Sequence, residues 1–317
     1  RALQRSARNA SSAPTLKLID NMSQVDSLTS PAKPPWIKVR APSQTGYQET
    51  KAVVERLSLH TVCREAMCPN IGECWAAHTA TFLIMGRHCT RACRFCAVEK
   101  GLERILAEPD PQEPRHIALA VKELGLKHAV ITSVTRDDLA DYGANHFAST
   151  VIAIKELSPQ CKVELLIPDM RGNRHAVKKI VESGVDVLNH NLETVSRLYP
   201  QVRPGADYAQ SLSVLKWAKE MDPRILTKSG IMVGLGETLP EVHALMDDLR
   251  GSDVDIITIG QYLRPSKAQT PIVRYVTPDE FKELERIALK KGFKFAESGP
   301  LVRSSYHAWK HSAAVPG

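Results

Sequence analysis

The chain has 317 residues, of which 43% are hydrophobic and 24% are charged, a composition typical of a globular protein that buries a sizeable core. It contains no run of about 18 apolar residues, so the sequence predicts no membrane-spanning helix. The 42 Lys and Arg outnumber the 35 Asp and Glu, for a net charge of +7. This charge favours acidic partners. The basic residues are dispersed and form no stripe interleaved with aromatic residues, so nucleic-acid binding is not indicated.

The beginning of the chain predicts an extended arm. The first residue is Arg and not Met, which we interpret as trimming or processing, and residues 1–19 contain no acidic residue. This composition is typical of a disordered tail and also of the remnant of an organellar transit sequence. Pro31, Pro34, Pro35 and Pro42 then surround Trp36 and predict an extended arm that lies over another surface.

A helical pattern begins near Tyr47. From Thr81 onward, short apolar runs alternate with amphipathic stretches, the pattern of buried parallel strands joined by helices. The strand candidates are TFLIMG, HAVITSV, KVELLI, VDVLNH, ILTKSGIMVG and DIITIG. The helix candidates are 116–124, 146–157, 174–183, 208–221, 241–250 and 278–291. The segment GFKFAESGPLVRSSYHA then returns the chain along the fold once more.

These units predict an α/β fold, a partial (βα)6 TIM-like barrel with N-terminal and C-terminal extensions. We expect four parts along the chain. They are an extended or disordered arm at 1–45, a segment with the first cysteines at 46–80, the partial barrel at 81–277, and a C-terminal helix and extension at 278–317.

Six of the seven cysteines form two triplets, Cys63/Cys68/Cys74 and Cys89/Cys93/Cys96. A structural zinc site normally has four protein ligands, whereas three thiolates on an iron–sulfur cluster leave one iron open to a ligand that reacts. The second triplet directly follows the first predicted strand, and loops after barrel strands collect catalytic groups. The missing fourth thiolate therefore indicates a reactive cluster.

Other interpretations of the cysteines stay open at this point. Zinc in a non-catalytic module also uses CxxC pairs, and oxidised thiols form disulfides. Clustered cysteines without a secretory signal more often bind metal or catalyse. Cys161 stands alone near the run KVELLI and is predicted to be a small core residue.

The spacing CxxxCxxC with an aromatic residue before the last cysteine, here CTRACRFC, resembles the radical S-adenosylmethionine (SAM) superfamily. The resemblance implies that Cys89, Cys93 and Cys96 hold three irons of a 4Fe–4S cluster. The fourth iron is then chelated by the amino and carboxylate groups of the SAM methionine, with Phe95 near the adenine. It also implies a partial barrel of the radical SAM type.

The upstream triplet, CREAMCPNIGEC, and the C-terminal RSSYHA together resemble the lipoyl synthase family. Further similar segments are ATFLIMG, AVITSVTRDDL, LIPDMRGN, NHNLETVSRLYPQVRP, TKSGIMVGLGE and TIGQYLRPS. The resemblance implies that Cys63, Cys68 and Cys74 hold an auxiliary 4Fe–4S cluster. Residues 46–80 are then the auxiliary-cluster segment, and residues 278–317 close its site.

The fourth ligand of the auxiliary cluster is implied to be a serine of RSSY, namely Ser305, with Ser304 as the second choice and Arg303 as a neighbouring positioning residue. A serine oxygen is a harder donor than a thiolate and matches cluster iron less well, so it can be released when the cluster is consumed. Taken alone, RSSY would indicate only turn or capping serines.

The chain departs from the family pattern at two places. Ala140, Asp141, Tyr142 and Gly143 stand where the family often has Pro-Asp-Gly-Gly, which leaves the shape of that loop open. Residues 269–271, Gln-Thr-Pro, stand where His-Leu-Pro often follows, so no histidine role is carried over.

The resemblance implies insertion of two sulfur atoms, at C6 and C8, into an octanoyl chain amide-linked to a lysine of a carrier domain. An electron cleaves SAM to methionine and a 5′-deoxyadenosyl radical, which abstracts a hydrogen from the chain. The carbon radical then attacks a sulfide of the auxiliary cluster, and a second SAM repeats the step, so each lipoyl group uses two SAM and destroys the auxiliary cluster.

Four polar residues at or beyond predicted strand ends are candidates for binding the methionine carboxylate, the ribose or the substrate amide. They are Asn191, Glu193, Arg203 and Lys228. Ordinary loop or salt-bridge roles fit each of them equally well.

The implied partners are octanoylated lipoyl carrier domains, those of 2-oxoacid dehydrogenase E2 subunits and the glycine cleavage H protein. An electron donor of ferredoxin or flavodoxin type and an iron–sulfur carrier protein for cluster repair are also implied, with no nucleic acid and no membrane. We expect a bacterial-type cytoplasm, with a mitochondrial or plastid matrix as the alternative. The competing functions are another radical SAM enzyme with two clusters, such as a methylthiotransferase or a biotin-synthase-like sulfur inserter, and a non-catalytic metal-binding module.

Overall fold

The computed structural model describes residues 30–39, 45–102 and 106–313, without the side chains of residues 312 and 313. The interpretation of residues 1–19 as a tail or transit remnant therefore lies outside the described residues, as does Pro42. Residues 30–39 contain no helix or strand. In this part of the arm, Ile37 is buried and the Ser30 hydroxyl accepts a hydrogen bond from the Ile272 backbone N–H at 3.1 Å.

An eight-stranded sheet forms the frame of the molecule. In spatial order its strands are β1 (His60–Thr61), β2 (Thr81–Ile84), β5 (His128–Ser133), β6 (Lys162–Leu166), β7 (Val187–Asn189), β8 (Leu226–Val233), β9 (Ile256–Gln261) and β10 (Phe295–Gly299). All neighbours from β2 to β10 are parallel, and only β1 is antiparallel to its neighbour. Within the described residues the two edge strands do not pair with each other, so the sheet does not close into a full barrel. This confirms the predicted α/β fold with an open, partial barrel. The segment after residue 291 adds the seventh parallel strand.

The helices follow the predicted alternation closely. Those described are α1 (Thr45–Arg56), α2 (Val62–Glu65), α3 (Ile71–Ala76), α4 (Glu113–Glu123), α5 (Ala144–Leu157), α6 (Arg174–Val181), α7 (Tyr199–Val202), α8 (Tyr208–Met221), α9 (Leu239–Gly251), α10 (Pro278–Lys290) and α11 (Ala308–Ala313). A small separate ladder joins β3 (His88–Cys89) to β4 (Glu99–Lys100). Among the described residues, none of the helices combines the length and hydropathy needed to cross a bilayer.

Side-chain capping explains where several helices begin. Thr238 and Thr277 each form a capping box with the Glu three residues later, Glu241 and Glu280, at the starts of α9 and α10, and such caps stabilise a helix by about 1 kcal/mol. The loop before α5 is a tight turn because the Asp141 carboxylate accepts from the N–H groups of Gly143 and Asn145. The turn ends at Gly143 with a φ of 86°, which glycine adopts without strain.

The core lies between the sheet and its helices. All residues of β2 and β9 are buried, as expected for strands covered on both faces, and neighbouring helices such as α4 and α5 pack on each other. Cys161 is 2% exposed within this core, which confirms its predicted structural role.

A buried ion pair joins β6 and β8, two parallel strands that flank β7 in the sheet. Lys228 Nζ lies 2.8 Å from the Glu164 carboxylate, and both side chains are fully buried. Glu164 also accepts from Asn189 Nδ2 at 3.0 Å and lies 3.3 Å from His128 Nε2. Burial alone would raise the pKa of Glu164, but the Lys228 charge and the His128 contact lower it to about 2. The carboxylate is therefore ionised at neutral pH and fully engaged.

Replacing Lys228 by Met should destabilise the protein strongly. The change leaves the Glu164 charge buried without its cation, which costs about 3–5 kcal/mol, whereas Lys282→Met in the exposed Lys282–Asp279 pair should change the free energy of unfolding little. Urea unfolding at pH 7 measures both values. Equal effects of the two substitutions would contradict a structural role for the buried pair.

Candidate cluster and cofactor site

A cavity of about 500 Å³ lies beyond the carboxyl ends of the parallel strands. Loops after β2, β5, β6, β7 and β9 contribute to its wall, as do the segments 62–69 and 302–305. Its lining includes Cys68 of the first triplet and Cys89, Cys93 and Cys96 of the second. The fold therefore brings the two cysteine segments to one space.

The backbone around the second triplet is shaped by the small β3–β4 ladder. The Cys89 carbonyl accepts from Gly101 N at 3.0 Å, and Cys96 N donates to the Cys93 carbonyl at 3.3 Å. The Cys89 sulfur accepts from the backbone N–H groups of Arg91 and Thr135 at 3.4 and 3.3 Å. These two contacts fix the position of the Cys89 sulfur, and the bond from Thr135 places it beside the end of β5.

Arg91 ties this loop to the sheet. Its guanidinium bonds to both carboxylate oxygens of Asp137, after β5, and to both oxygens of Asp169, after β6. The Arg91 side chain is only 10% exposed. Forked, partly buried contacts of this kind hold a planar guanidinium in one orientation, so the loop is fixed relative to the strand ends.

A second set of contacts holds the loop from the other side. Arg94 N donates to the Val202 carbonyl at 2.9 Å, and the Arg94 carbonyl accepts from Thr270 N at 2.9 Å. Gln269 Nε2 donates to the Cys96 carbonyl at 3.4 Å. Residues 269–271, which differ from the family pattern, thus support the cysteine loop through the Gln269 amide and the Thr270 backbone, and no histidine is needed for these contacts.

The first triplet is built on short helices beside β2. Cys63 lies in α2, which Thr61 caps by accepting from Arg64 N, and Cys68 N donates to the Cys63 carbonyl at 3.1 Å. Cys74 lies in α3, where Thr50 of α1 donates to the next carbonyl, that of Trp75, at 2.8 Å. The Thr50 bond therefore joins α3, which carries Cys74, to α1.

Burial favours the protonated thiol at five of the cysteines, namely Cys63, Cys68, Cys74, Cys93 and Cys96. It raises the pKa of Cys63 to about 11, of Cys74 to about 12 and of Cys93 to about 11, and raises those of Cys68 and Cys96 as well. Neighbouring thiols of the same triplet raise the pKa values of Cys63, Cys74, Cys93 and Cys96 further. Metal binding must release these protons.

The three-thiol donor sets fit a 4Fe–4S cluster with one non-cysteine position each. All seven cysteines are free, which contradicts the disulfide interpretation. In the part of the chain that the structure describes, no three Cys, His, Asp or Glu side chains converge tightly enough to hold one metal ion. A 4Fe–4S cluster makes no such demand, because each iron takes a single protein ligand.

The RSSY turn reaches the same cavity. Val302, Arg303, Ser304 and Ser305 all line it, and Gly260 of β9 permits their approach because a Cβ there would lie 2.1 Å from the Val302 carbonyl oxygen. Burial lowers the pKa of the Arg303 guanidinium, and Cys68 and Glu193 oppose this effect, so the Arg303 charge interacts with a cysteine of the first triplet and with a predicted cofactor residue.

The two serines of the turn differ in their contacts. The Ser304 hydroxyl accepts from Asn191 Nδ2 at 3.3 Å. The Ser305 hydroxyl has no hydrogen-bonding partner among residues 30–39, 45–102 and 106–313, although it lines the cavity. Ser305 is therefore the serine whose oxygen is free to take a further partner.

Most of the predicted cofactor residues meet in this cavity. Phe95, Asn191, Glu193 and Arg203 line it, whereas Lys228 is not in its lining and instead pairs with Glu164. Glu193 has a φ of 67°, and burial raises the pKa of its carboxylate. Asn191 Nδ2 donates to that carboxylate at 3.1 Å.

Several buried polar atoms in the cavity wall have no protein partner. Within the described ranges, these unsatisfied atoms include His190 Nε2, Asn191 Oδ1 and Arg203 Nε, and all three residues line the cavity. Buried polar atoms are usually hydrogen-bonded. Their grouping here indicates a site for a polar ligand.

The sequence interpretation missed His190 and Arg91. His190 directly follows β7, its Nδ1 lies 2.8 Å from the Ile167 carbonyl oxygen, and burial lowers its pKa to about 4, so it is neutral. Its position after a strand was the available signal. The signal for Arg91 was its place inside the cysteine loop, together with Asp137 and Asp169 after two predicted strands.

Two solved structures have a similar fold. Methylornithine synthase aligns with a TM-score of 0.51 at 16% identity over 83% of this chain and 85% of that chain. HydG, a maturase of the [FeFe]-hydrogenase, aligns with a TM-score of 0.54 at 13% identity over 93% of this chain and 74% of that chain. At these identities the similarity shows the fold.

Sequence comparison gives a closer relationship. The radical SAM superfamily model matches residues 83–249. A lipoyl synthase of Rubrobacter xylanophilus is 56% identical over 87% of this chain and 85% of its own length. A lipoyl synthase of Caldanaerobacter subterraneus subsp. tengcongensis is 57% identical over 87% of this chain and 95% of its own length. These relatives, together with Cys68, the second cysteine triplet and the RSSY turn at one cavity, show that the chain belongs to the lipoyl synthase family of the radical SAM superfamily.

Proposed function

We propose that this protein converts an octanoyl chain, amide-linked to a lysine of a carrier domain, into a lipoyl group by inserting sulfur at C6 and C8. The observation that carries the proposal is the convergence of Cys68, the Cys89/Cys93/Cys96 loop and Ser305 on one cavity. Sulfur insertion into unactivated C–H bonds needs a radical generator and a sulfur source side by side, and this arrangement supplies ligands for both.

In the proposal Cys89, Cys93 and Cys96 hold the cluster that binds SAM, and Cys63, Cys68, Cys74 and Ser305 hold the auxiliary cluster. When bound, these groups would supply the electron that cleaves SAM and the sulfur that is transferred, with two SAM used for each lipoyl group. The free Ser305 hydroxyl supports its assignment, since Ser304 is already engaged with Asn191.

The chain's own residues bind and orient SAM. Arg203 donates to the carbonyls of Asn191 and Leu192 and to Tyr199 Oη through one nitrogen, which leaves its Nε, without a partner in the described part of the chain, to meet an anionic group such as a carboxylate. Glu193 and Asn191 offer acceptors for the ribose or the amino group, and Phe95 offers an aromatic face. Positioning is the main contribution a protein makes to cofactor-driven chemistry.

The apolar part of the cavity wall suits the octanoyl chain. It includes Val62, Leu83, Ile167, Ile231 and Val302, and a wall of this kind holds an alkyl chain while keeping water away from reactive species. Arg303 also lines the cavity and would act on the polar end of the substrate as a positioning residue.

We further propose the partners that this chemistry requires. They are octanoylated carrier domains of the 2-oxoacid dehydrogenase E2 and glycine cleavage H types, a ferredoxin- or flavodoxin-type electron donor, and an iron–sulfur carrier protein that rebuilds the auxiliary cluster. A net charge of +7 supports acidic partners, and seven free cysteines support a reducing compartment, either bacterial cytoplasm or an organellar matrix.

The direct test incubates anaerobically reconstituted protein with SAM, dithionite and an octanoylated carrier peptide. We expect a peptide product with two added sulfurs, together with methionine and 5′-deoxyadenosine, because both cysteine sites take part. Mass spectrometry and chromatography measure the products. Formation of 5′-deoxyadenosine without sulfur insertion would indicate a different radical SAM reaction and refute the proposal.

Iron content should separate the two sites. The protein should bind about eight irons per chain, four for each 4Fe–4S cluster, and the variant Cys63→Ala/Cys68→Ala/Cys74→Ala about four. This variant should still cleave SAM but insert no sulfur, because only the auxiliary site is lost. Stoichiometric zinc with little iron would support the non-catalytic metal-binding module instead.

Arg203→Lys should weaken SAM binding about tenfold or more, equivalent to about 1.4 kcal/mol, because lysine keeps the charge but loses the guanidinium fork. Anaerobic equilibrium dialysis of the reconstituted protein measures the Kd. Arg197→Lys is the matched control, since Arg197 makes a forked contact with Glu241 on the surface. If both variants bind SAM as the parent does, Arg203 has no role in that site.

A further inference from the structure

The RSSY turn is held at both ends by the short segment between Cys68 and Cys74. At one end Asn70 Nδ2 donates to the Leu301 carbonyl at 2.7 Å, and at the other the Tyr306 hydroxyl donates to Glu73 Oε1 at 3.0 Å. Asn70 is 4% exposed. Two groups of the auxiliary-cluster segment therefore set the position of a turn more than 200 residues away along the chain.

Glu73 links this contact directly to a cysteine. Glu73 is the residue before Cys74 in α3. A movement of Tyr306, its hydrogen-bonding partner, therefore acts on the helical turn that carries Cys74. On the other side, Tyr306 N donates to the Arg303 carbonyl at 2.9 Å. This bond closes the turn in which Ser305 lies, so the Glu73–Tyr306 contact joins the two backbones that carry Cys74 and Ser305.

The tyrosine ring is held in place by its neighbour. The His307 ring stacks on Tyr306 with centroids 3.8 Å apart. His307 Nε2 lies 3.7 Å from Glu73, and its Nδ1 lies 3.6 Å from Glu297 of β10. The stacked His307 ring therefore supports the tyrosine ring and holds the Tyr306 hydroxyl near Glu73.

We propose that Glu73 and Tyr306 are positioning residues that hold Ser305 against the Cys63/Cys68/Cys74 triplet and so set how readily the auxiliary cluster opens. The inference rests on the proposed function, since it requires a cluster on that triplet. A serine oxygen is a weakly matched ligand for iron, so its occupancy depends on how often the turn presents it at the right place. The bond between Glu73 and Tyr306 raises that frequency.

The test uses the full chain carrying Cys89→Ala, Cys93→Ala and Cys96→Ala, so that iron resides only on the first triplet. This parent is loaded anaerobically, its iron is counted, and the rate of iron transfer to a chelator is followed by absorbance. Tyr306→Phe should release iron about tenfold faster, because it removes the hydroxyl that binds Glu73 and leaves the ring in place. Glu73→Ala should act likewise, whereas Glu73→Gln keeps an oxygen acceptor and should stay near the parent rate.

Two comparisons separate positioning from general destabilisation. Tyr208→Phe is the first comparison. It removes a similar hydrogen bond outside the cavity lining, that of the Tyr208 hydroxyl to Asp248 at 2.8 Å, and should leave the rate of iron release unchanged.

The second comparison adds Tyr306→Phe to a Ser305→Ala variant. Iron release should not become any faster, because the tyrosine acts through Ser305. A double-mutant cycle measures this coupling.

Each outcome decides the matter. If the parent binds iron normally but Tyr306→Phe releases iron at the parent rate, this inference is wrong and the proposed function still stands. The same holds if the effects of Tyr306→Phe and Ser305→Ala on the release rate are additive. A parent that binds no iron overturns the assignment of the first triplet and the inference with it. Acceleration that disappears in the Ser305→Ala background supports the positioning role.

Discussion

The fork of Arg91 between the carboxylates of Asp137 and Asp169 is the contact on which the rest of the site depends. The cysteine loop that carries Arg91 has only the two-residue β3–β4 ladder of its own, so its shape comes from what it touches. Despite burial, the Arg91 charge lowers the pKa of Asp169, so the pair is ionised at neutral pH. Because both aspartates follow strands of one parallel sheet, the Arg91 side chain ties the loop that carries Cys89, Cys93 and Cys96 to two strand ends at once.

The barrel contains two kinds of buried polar group, and they serve different ends. Lys228 and Glu164 pair within the sheet, where Glu164 also accepts a hydrogen bond from Asn189 Nδ2, as groups with a structural role do. At the strand ends, His190 Nε2, Asn191 Oδ1 and Arg203 Nε remain without partners in the described part of the chain. Leaving such atoms unsatisfied costs free energy, and a bound polar ligand offsets that cost. The cavity is thus prepared for a polar cofactor beside an apolar chain.

The auxiliary side of the site is assembled from parts that are distant in the sequence. Its cysteines come from short helices before β2, while Ser304 and Ser305 arrive on the chain after β10. Gly260 lets the Val302 backbone come close, and Asn70 and Glu73 hold the turn. The proposed auxiliary site is thus closed by two side-chain hydrogen bonds between segments that are distant in the sequence.

The sequence by itself determined the grouping of the thiols, the order of strands and helices, and the family. These features depend on local spacing: CxxxCxxC keeps three sulfurs within a few residues, and the periodicity of apolar runs decides strand or helix. Asn191, Glu193, Arg203 and Lys228 look alike in the sequence, since all stand near strand ends. Only the tertiary structure separated them, because Lys228 meets Glu164 inside the sheet, whereas the other three line the cavity. The Arg91 fork and the Glu73–Tyr306 contact were equally hidden. They join residues 46 to 233 positions apart, and sheet register and loop docking, not spacing along the chain, bring such residues together.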